Sequence, residues 1–219
     1  MSPRTQSILE QFASVVNSPF GAFGDIARLG RLLEDPECNA LLLKQVASTP
    51  EGAHALRHFP RLGELDLQQL YREAPGTLAH EYARHMLDNG FDAPPALPAP
   101  DVGAYMIAHL TETHDIWHIV TGYDTDKPGE CAIDGFYLAQ LHPSPGLVGL
   151  LCKNMMKTAI EEPATADTNF SAVVHGWLLG KRARPLFGVD WTPLWREPLA
   201  AVRALYGIDP APVSKLIAM

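Results

Sequence analysis

Within the run HDIWHIVTGYDTDKPGE, residues 114–130, two imidazoles and two carboxylates stand at spacings that one divalent metal ion can use. In an α-helix, residues four apart share a face, so His114 and His118 can aim their rings at the same point. Asp115 follows His114 directly and flanks that face. Glu130 comes twelve residues after His118, across the turn-rich stretch 122–129. If that stretch returns the chain into an antiparallel helix, Glu130 stands at its start and reaches back to the histidines. Burying this many polar groups without partners would cost on the order of several kcal/mol, so a shared cation is expected for His114, Asp115, His118 and Glu130. Mixed imidazole and carboxylate donors put zinc ahead of manganese, iron or cobalt. Such an ion acts as a Lewis acid.

The remaining histidines do not make a second centre. The zinc-protease pattern H-E-x-x-H is absent, because Asp115 takes the place of its glutamate and is one methylene shorter. In HEYARH, residues 80–85, the histidines are five apart and point to different faces, and His80 and Glu81 read as solvated. His54, His58, His109, His142 and His175 read as surface or hydrogen-bonded residues, with His109 one turn before the site and placed to support it.

The elements that must position these groups are helices. Apolar residues recur three and four apart in most segments between the prolines, and strand-like alternation is scarce. Helices are predicted over about 5–17, 21–34, 35–47, 50–58, 66–72, 75–90, 102–122, 130–141, 147–160, 167–182 and 191–206. The fold class is therefore mostly α, a multi-helix bundle. DAPPALPAPD holds a proline-dense connection at 92–100 that cannot continue a helix. We read it as internal to a single domain spanning 1–219, because the helices before it lack a common core of their own; a two-domain division is the competing reading.

Composition removes several function classes. At a formal net charge of -8, with one small basic knot at Lys181, Arg182 and Arg184, the chain is not built for nucleic acid. Its three cysteines, Cys38, Cys131 and Cys152, are odd in number and lack metal-ligand spacing, which fits a reducing cytoplasm. The first residues, MSPRTQSILEQFASVV, read as a helix and not as a secretory signal. The most apolar run, GLVGLLCKNMM, is broken by Lys153 and Asn154 and is too short to span a bilayer, although the chain can lie against one.

The H-D-x-x-H run followed by eleven residues and a Glu resembles the signature of the ubiquinone (coenzyme Q) biosynthesis protein family COQ-four. The resemblance extends through GTLAHEYARHML at 76–87, AYMIAHLTETHDIWHIVTGY at 104–123, GECAIDGFYLAQ at 129–140 and LWREPLAAVRALYGI at 194–208, most of the chain. It departs in lacking an arginine just before Glu112 and in the segments DTDKPGE and HPSPG. The resemblance implies a mostly helical protein, peripherally attached to the inner face of a membrane, working with other quinone-biosynthesis enzymes and on a polyprenylated aromatic lipid. It implies His114, Asp115, His118 and Glu130 as ligands of a divalent metal, usually zinc. It further implies a decarboxylase that removes the carboxylate of a polyprenyl hydroxybenzoate, with hydroxylation at ring carbon one. A homo-oligomer is also expected. The prenyl tail would lie along Leu147, Leu150, Leu151, Met155 and Met156, although any one of these taken singly reads more readily as core. The rival reading is a non-catalytic scaffold that presents quinone intermediates to partner enzymes. A phosphohydrolase of the HD superfamily fits less well, since its separate first His and later Asp are missing from this order.

Overall fold

A computed structural model describes residues 2–17, 29, 32–33 and 35–210. Among them the regular structure is helical: α1 (Pro3–Asn17), α2 (Pro36–Val46), α3 (Pro50–His58), α4 (Leu67–Tyr71), α5 (Leu78–Asp88), α6 (Val102–Thr121), α7 (Lys127–Leu141), α8 (Pro145–Glu161), α9 (Ala166–Arg182) and α10 (Leu199–Tyr206), with short 3₁₀ turns at Pro163–Thr165 and Thr192–Leu194. The mostly-α expectation holds. The helix expected over 21–34 falls almost wholly outside the described residues.

The chain groups into two compact units. Among the described residues, one contains those before Val46 together with Thr125–Lys181, and the other contains Val46–Asp124 and residues 182–210. The proline-rich stretch lies inside the second unit without regular structure. It is anchored there by Arg61, whose guanidinium donates to the Leu97 carbonyl at 2.7 Å. No helix among the described residues is long and apolar enough to cross a membrane.

In the first unit, α8 packs against α7 and α1. The two residues that break its apolar run are buried, not exposed: Asn154 donates through Nδ2 to Asp134 Oδ2 on α7 at 2.6 Å, and Lys153 is fully enclosed. Burial pushes the Asp134 carboxyl up to about 7, against the opposing pull of Asn154 and Lys153. The approach of α9 to α7 depends on glycine. A Cβ on Gly176 would stand 1.8 Å from the Ala132 carbonyl oxygen, and one on Gly135 would stand 2.2 Å from that of Val173.

In the second unit, α5 and α6 pack together and α10 crosses both. Thr77 caps α5 by accepting from the His80 N–H at 3.3 Å, and Asp101 caps α6 by accepting from Ala104 at 2.9 Å. The last helix is shorter than the predicted 191–206. Pro193 and Pro198 break the pattern, and this segment serves α5 instead. The Leu78 and Ala79 N–H groups donate to the carbonyls of Glu197 and Trp195, each at 2.9 Å, which satisfies donors that a helix start leaves unpaired.

His109 lies in this core and is only 2 % exposed. Its Nε2 accepts from the Gly188 N–H at 3.1 Å, which fixes the ring as neutral imidazole. Burial, the largest cause, pulls its pKa from 6.5 to about 4. Because the folded value lies below the unfolded one, the unfolded chain binds the extra proton; stability is full above pH 6.5 and is lost as pH falls towards 4. The contribution is about 3 kcal/mol. Urea unfolding at stepped pH is expected to show this loss, and His109→Gln, whose amide oxygen can still accept from Gly188, is expected to flatten it.

Candidate metal centre

The setting of His118 on α6 follows from how that helix ends. Gly122 takes a left-handed conformation (φ 79°) and donates its N–H to the His118 carbonyl at 2.8 Å, closing the helix. The turn folds the next residue back over the last helical turn, so that His118 Nδ1–H donates to the Tyr123 carbonyl at 3.0 Å. That bond leaves the lone pair on Nε2, the arrangement that metal-binding histidines use. His118 Nε2 stands 3.2 Å from His114 Nε2. Two imidazole nitrogens bound tetrahedrally at ordinary zinc distances would be about 3.3 Å apart, so the pair fits a shared ion.

Five residues separate the end of α6 from the start of α7. That start comes three residues earlier than the predicted 130, because Asp126 accepts from the Gly129 N–H at 2.8 Å and Pro128 suits the first turn. Glu130 consequently occupies the first turn of α7. A ligand atom of Glu130 and ring nitrogens of His114 and His118 all lie within 4.8 Å of one another. These three residues can hold a metal ion.

Asp115 is partly exposed and does not belong to that mutually close set. Desolvation is the largest influence on it and raises its pKa, while His118 and then His85 pull the other way. The two histidines are held in the state a metal requires. Burial draws His114 down to about 4, helped by the nearby charge of His85, and draws His118 down to about 3, helped by His114. Both rings are therefore held neutral at physiological pH, the form in which an imidazole can bind a metal. On the Glu130 side, Lys153 is the nearby cation: its own pKa is lowered chiefly by burial, with Asp134 and Glu130 among the charges acting against that.

Several residues here were not found by sequence reasoning. His85 on α5 lies with its ring nearly parallel to that of His118, centroids 6.4 Å apart. Reading HEYARH only as a failed metal motif overlooked that His85 follows the buried Tyr82 by three and therefore borders the apolar stripe. Glu112, 2 % exposed, is paired with Arg61, whose Nε donates to Oε1 at 2.8 Å, while the Leu62 N–H donates to Oε2 at 3.2 Å. The cation that pairs with Glu112 comes from 51 residues earlier in the chain. His109 does not support the centre, being occupied with Gly188. His80 Nδ1–H donates to the Tyr71 carbonyl at 2.8 Å, on the outer part of α5.

A sequence model of the family described as coenzyme Q (ubiquinone) biosynthesis protein Coq4 matches residues 6–212. The chain belongs to the Coq4 family. Among its Coq4 relatives, the rat protein named ubiquinone biosynthesis protein COQ4 homolog, mitochondrial, is 30% identical over 189 residues, covering 82% of this chain and 69% of that protein. The Yarrowia lipolytica COQ4 protein is 26% identical, covering 90% of this chain and 79% of its own length. A crystal structure from Nostoc punctiforme PCC 73102, described as a candidate ubiquinone biosynthesis protein, shares the Coq4 fold with a TM-score of 0.80 at 24% identity, covering 94% of this chain and 97% of that one.

Proposed function

We propose that this Coq4-family protein is a metal-dependent decarboxylase acting on a polyprenylated 4-hydroxybenzoate, with hydroxylation at the ring carbon that loses the carboxylate. The observation that carries the reading is the 3.2 Å approach of His114 Nε2 to His118 Nε2, with Glu130 in the same group, in a family of ubiquinone biosynthesis. Asp115 is the fourth ligand in this reading, since its charge already acts on His118. The ion is zinc, which suits the donor set. The family match covers both compact units, which supports treating them as one functional domain.

A divalent ion held here supplies a Lewis acid for the charge that builds on the head group as carbon dioxide leaves. The chain's own residues keep His114 and His118 unprotonated and fix the His118 ring through Tyr123. Loss of the carboxylate leaves an electron pair on ring carbon one. Placing a hydroxyl there instead of a proton removes two electrons, so the full reaction consumes an oxidant such as dioxygen, a role zinc does not fill.

The prenyl tail is accommodated along α8, where Leu147, Leu150, Leu151 and Met155 are partly exposed and Met156 is 49% exposed. Membrane attachment, through the inner face and without a span, is supported by the solvent-facing Phe170, Val174 and Leu178, one turn apart on α9. Other quinone-biosynthesis enzymes and further copies of this chain are the protein partners of this reading. The deciding experiment supplies purified protein, zinc and air with a prenylated 4-hydroxybenzoate labelled at the carboxylate. Release of labelled carbon dioxide that disappears in His118→Ala establishes an enzyme. Retention of the lipid without turnover establishes the scaffold instead.

A further inference from the structure

α5 carries two buried polar atoms one turn apart and gives neither of them a protein partner. Tyr82 is 0 % exposed and its hydroxyl is buried without a hydrogen bond. One turn further along the same face, His85 Nε2 is likewise buried and unbonded. Such orphaned groups are costly in a folded protein and mark a place that something else completes. Tyr82 and His85 stand three residues apart on one face of α5, which packs against α6. Asp115 is the charge that acts on Tyr82, and His85 acts in turn on His114, Asp115 and His118. The His85 ring lies parallel to the His118 ring at 6.4 Å, too far for it to join the set of mutually close ligand atoms. This distance suits a wall of the site and not a ligand of the ion.

We propose that the Tyr82 hydroxyl and His85 Nε2 form the oxygen-binding wall of the site, hydrogen-bonding the phenolate or carboxylate oxygen of an aromatic head group that lies beside His114 and His118. The inference rests on the metal-dependent reading above and adds to it the residues that recognise the organic ligand. The chemistry selects an oxygen-rich aromatic over a bare prenyl chain, because only the former supplies partners for both orphaned atoms. Tyr82 donates its O–H, and His85, as neutral imidazole, either donates from Nε2 or accepts a phenolic proton there. Both are positioning residues.

The test uses the full chain loaded with cobalt(II), whose visible spectrum reports the ion and its surroundings, with 4-hydroxybenzoate as the probe. His85→Phe keeps an aromatic ring next to Phe91, whose ring is 6.1 Å away, and removes the nitrogen. Tyr82→Phe removes only the hydroxyl. Each variant is expected to bind cobalt as the parent does and to bind 4-hydroxybenzoate about tenfold more weakly. His85→Gln, which restores a donor near the Nε2 position, is expected to recover most of that affinity. Unchanged probe affinity in both phenylalanine variants would overturn the proposal, and so would loss of cobalt in His85→Phe, which would make His85 a ligand. Failure of the parent chain itself to bind cobalt would overturn the metal-dependent reading, an outcome separate from either of these.

Discussion

His118→Ala is expected to weaken binding of a divalent ion by more than about 100-fold, because loss even of an outer partner of a ligand costs 10–100-fold and His118 is closer than that. The side chain combines three properties that no neighbour can replace. It is buried, its Nδ1–H is committed to the Tyr123 carbonyl, and its Nε2 stands 3.2 Å from that of His114. Alanine leaves His114 and Glu130 without the central donor. In the absence of metal, the same substitution is expected to destabilise the fold by about 1–3 kcal/mol, since it opens a buried cavity and leaves the Tyr123 carbonyl without its donor. Isothermal titration with zinc and cobalt measures the first effect. Thermal melts with and without metal measure the second, because an ion that binds only the folded chain raises its melting temperature by mass action. Parent protein should show that rise and His118→Ala should not. Asp115→Asn resolves the one ligand that the close set leaves outside: a loss as large as that of His118→Ala makes Asp115 a direct ligand, and a loss of tenfold or less makes it a nearby charge.

Gly176→Val is expected to destabilise the protein by at least about 3 kcal/mol, the upper range for overpacking a close contact. A Cβ at position 176 would stand 1.8 Å from the Ala132 carbonyl oxygen and 2.7 Å from its carbon, and these are backbone atoms that no rotamer change can move. The helices α7 and α9 would have to separate. Gly180 sets the same limit one turn further on, where a Cβ would meet that of Ala139 at 2.7 Å. Gly103→Ala is the control: its Cβ would meet only the Asp101 carboxylate at 3.4 Å, and it should change the urea midpoint little.

Much of this was legible in the sequence because helical periodicity and metal spacing are local. His114 and His118 are four apart on one helix, and the closing Gly122 announced where that helix ends. The turn after it is short enough that Glu130 had to begin the next helix or lie near its start. What stayed hidden required contacts between segments distant along the chain. Arg61 and Glu112 are 51 residues apart, and no pattern joins them. Lys153 and Asn154 looked like interruptions of an apolar face, whereas Asn154 meets Asp134 across helices and Lys153 is enclosed. The segment 191–198 kept a helical rhythm on paper, but its two prolines and its bonds to Leu78 and Ala79 assign it to the start of α5. His85 was overlooked because its value lies in an unfilled nitrogen facing another helix, which only coordinates reveal.

Anomalous diffraction from crystals of the zinc-loaded protein, collected at the zinc absorption edge, tests the central claim most directly. We expect one dominant peak, within bonding distance of His114 Nε2, His118 Nε2 and a carboxylate oxygen of Glu130. A peak coordinated by other groups, or zinc-saturated crystals with no peak at these three residues, would contradict it.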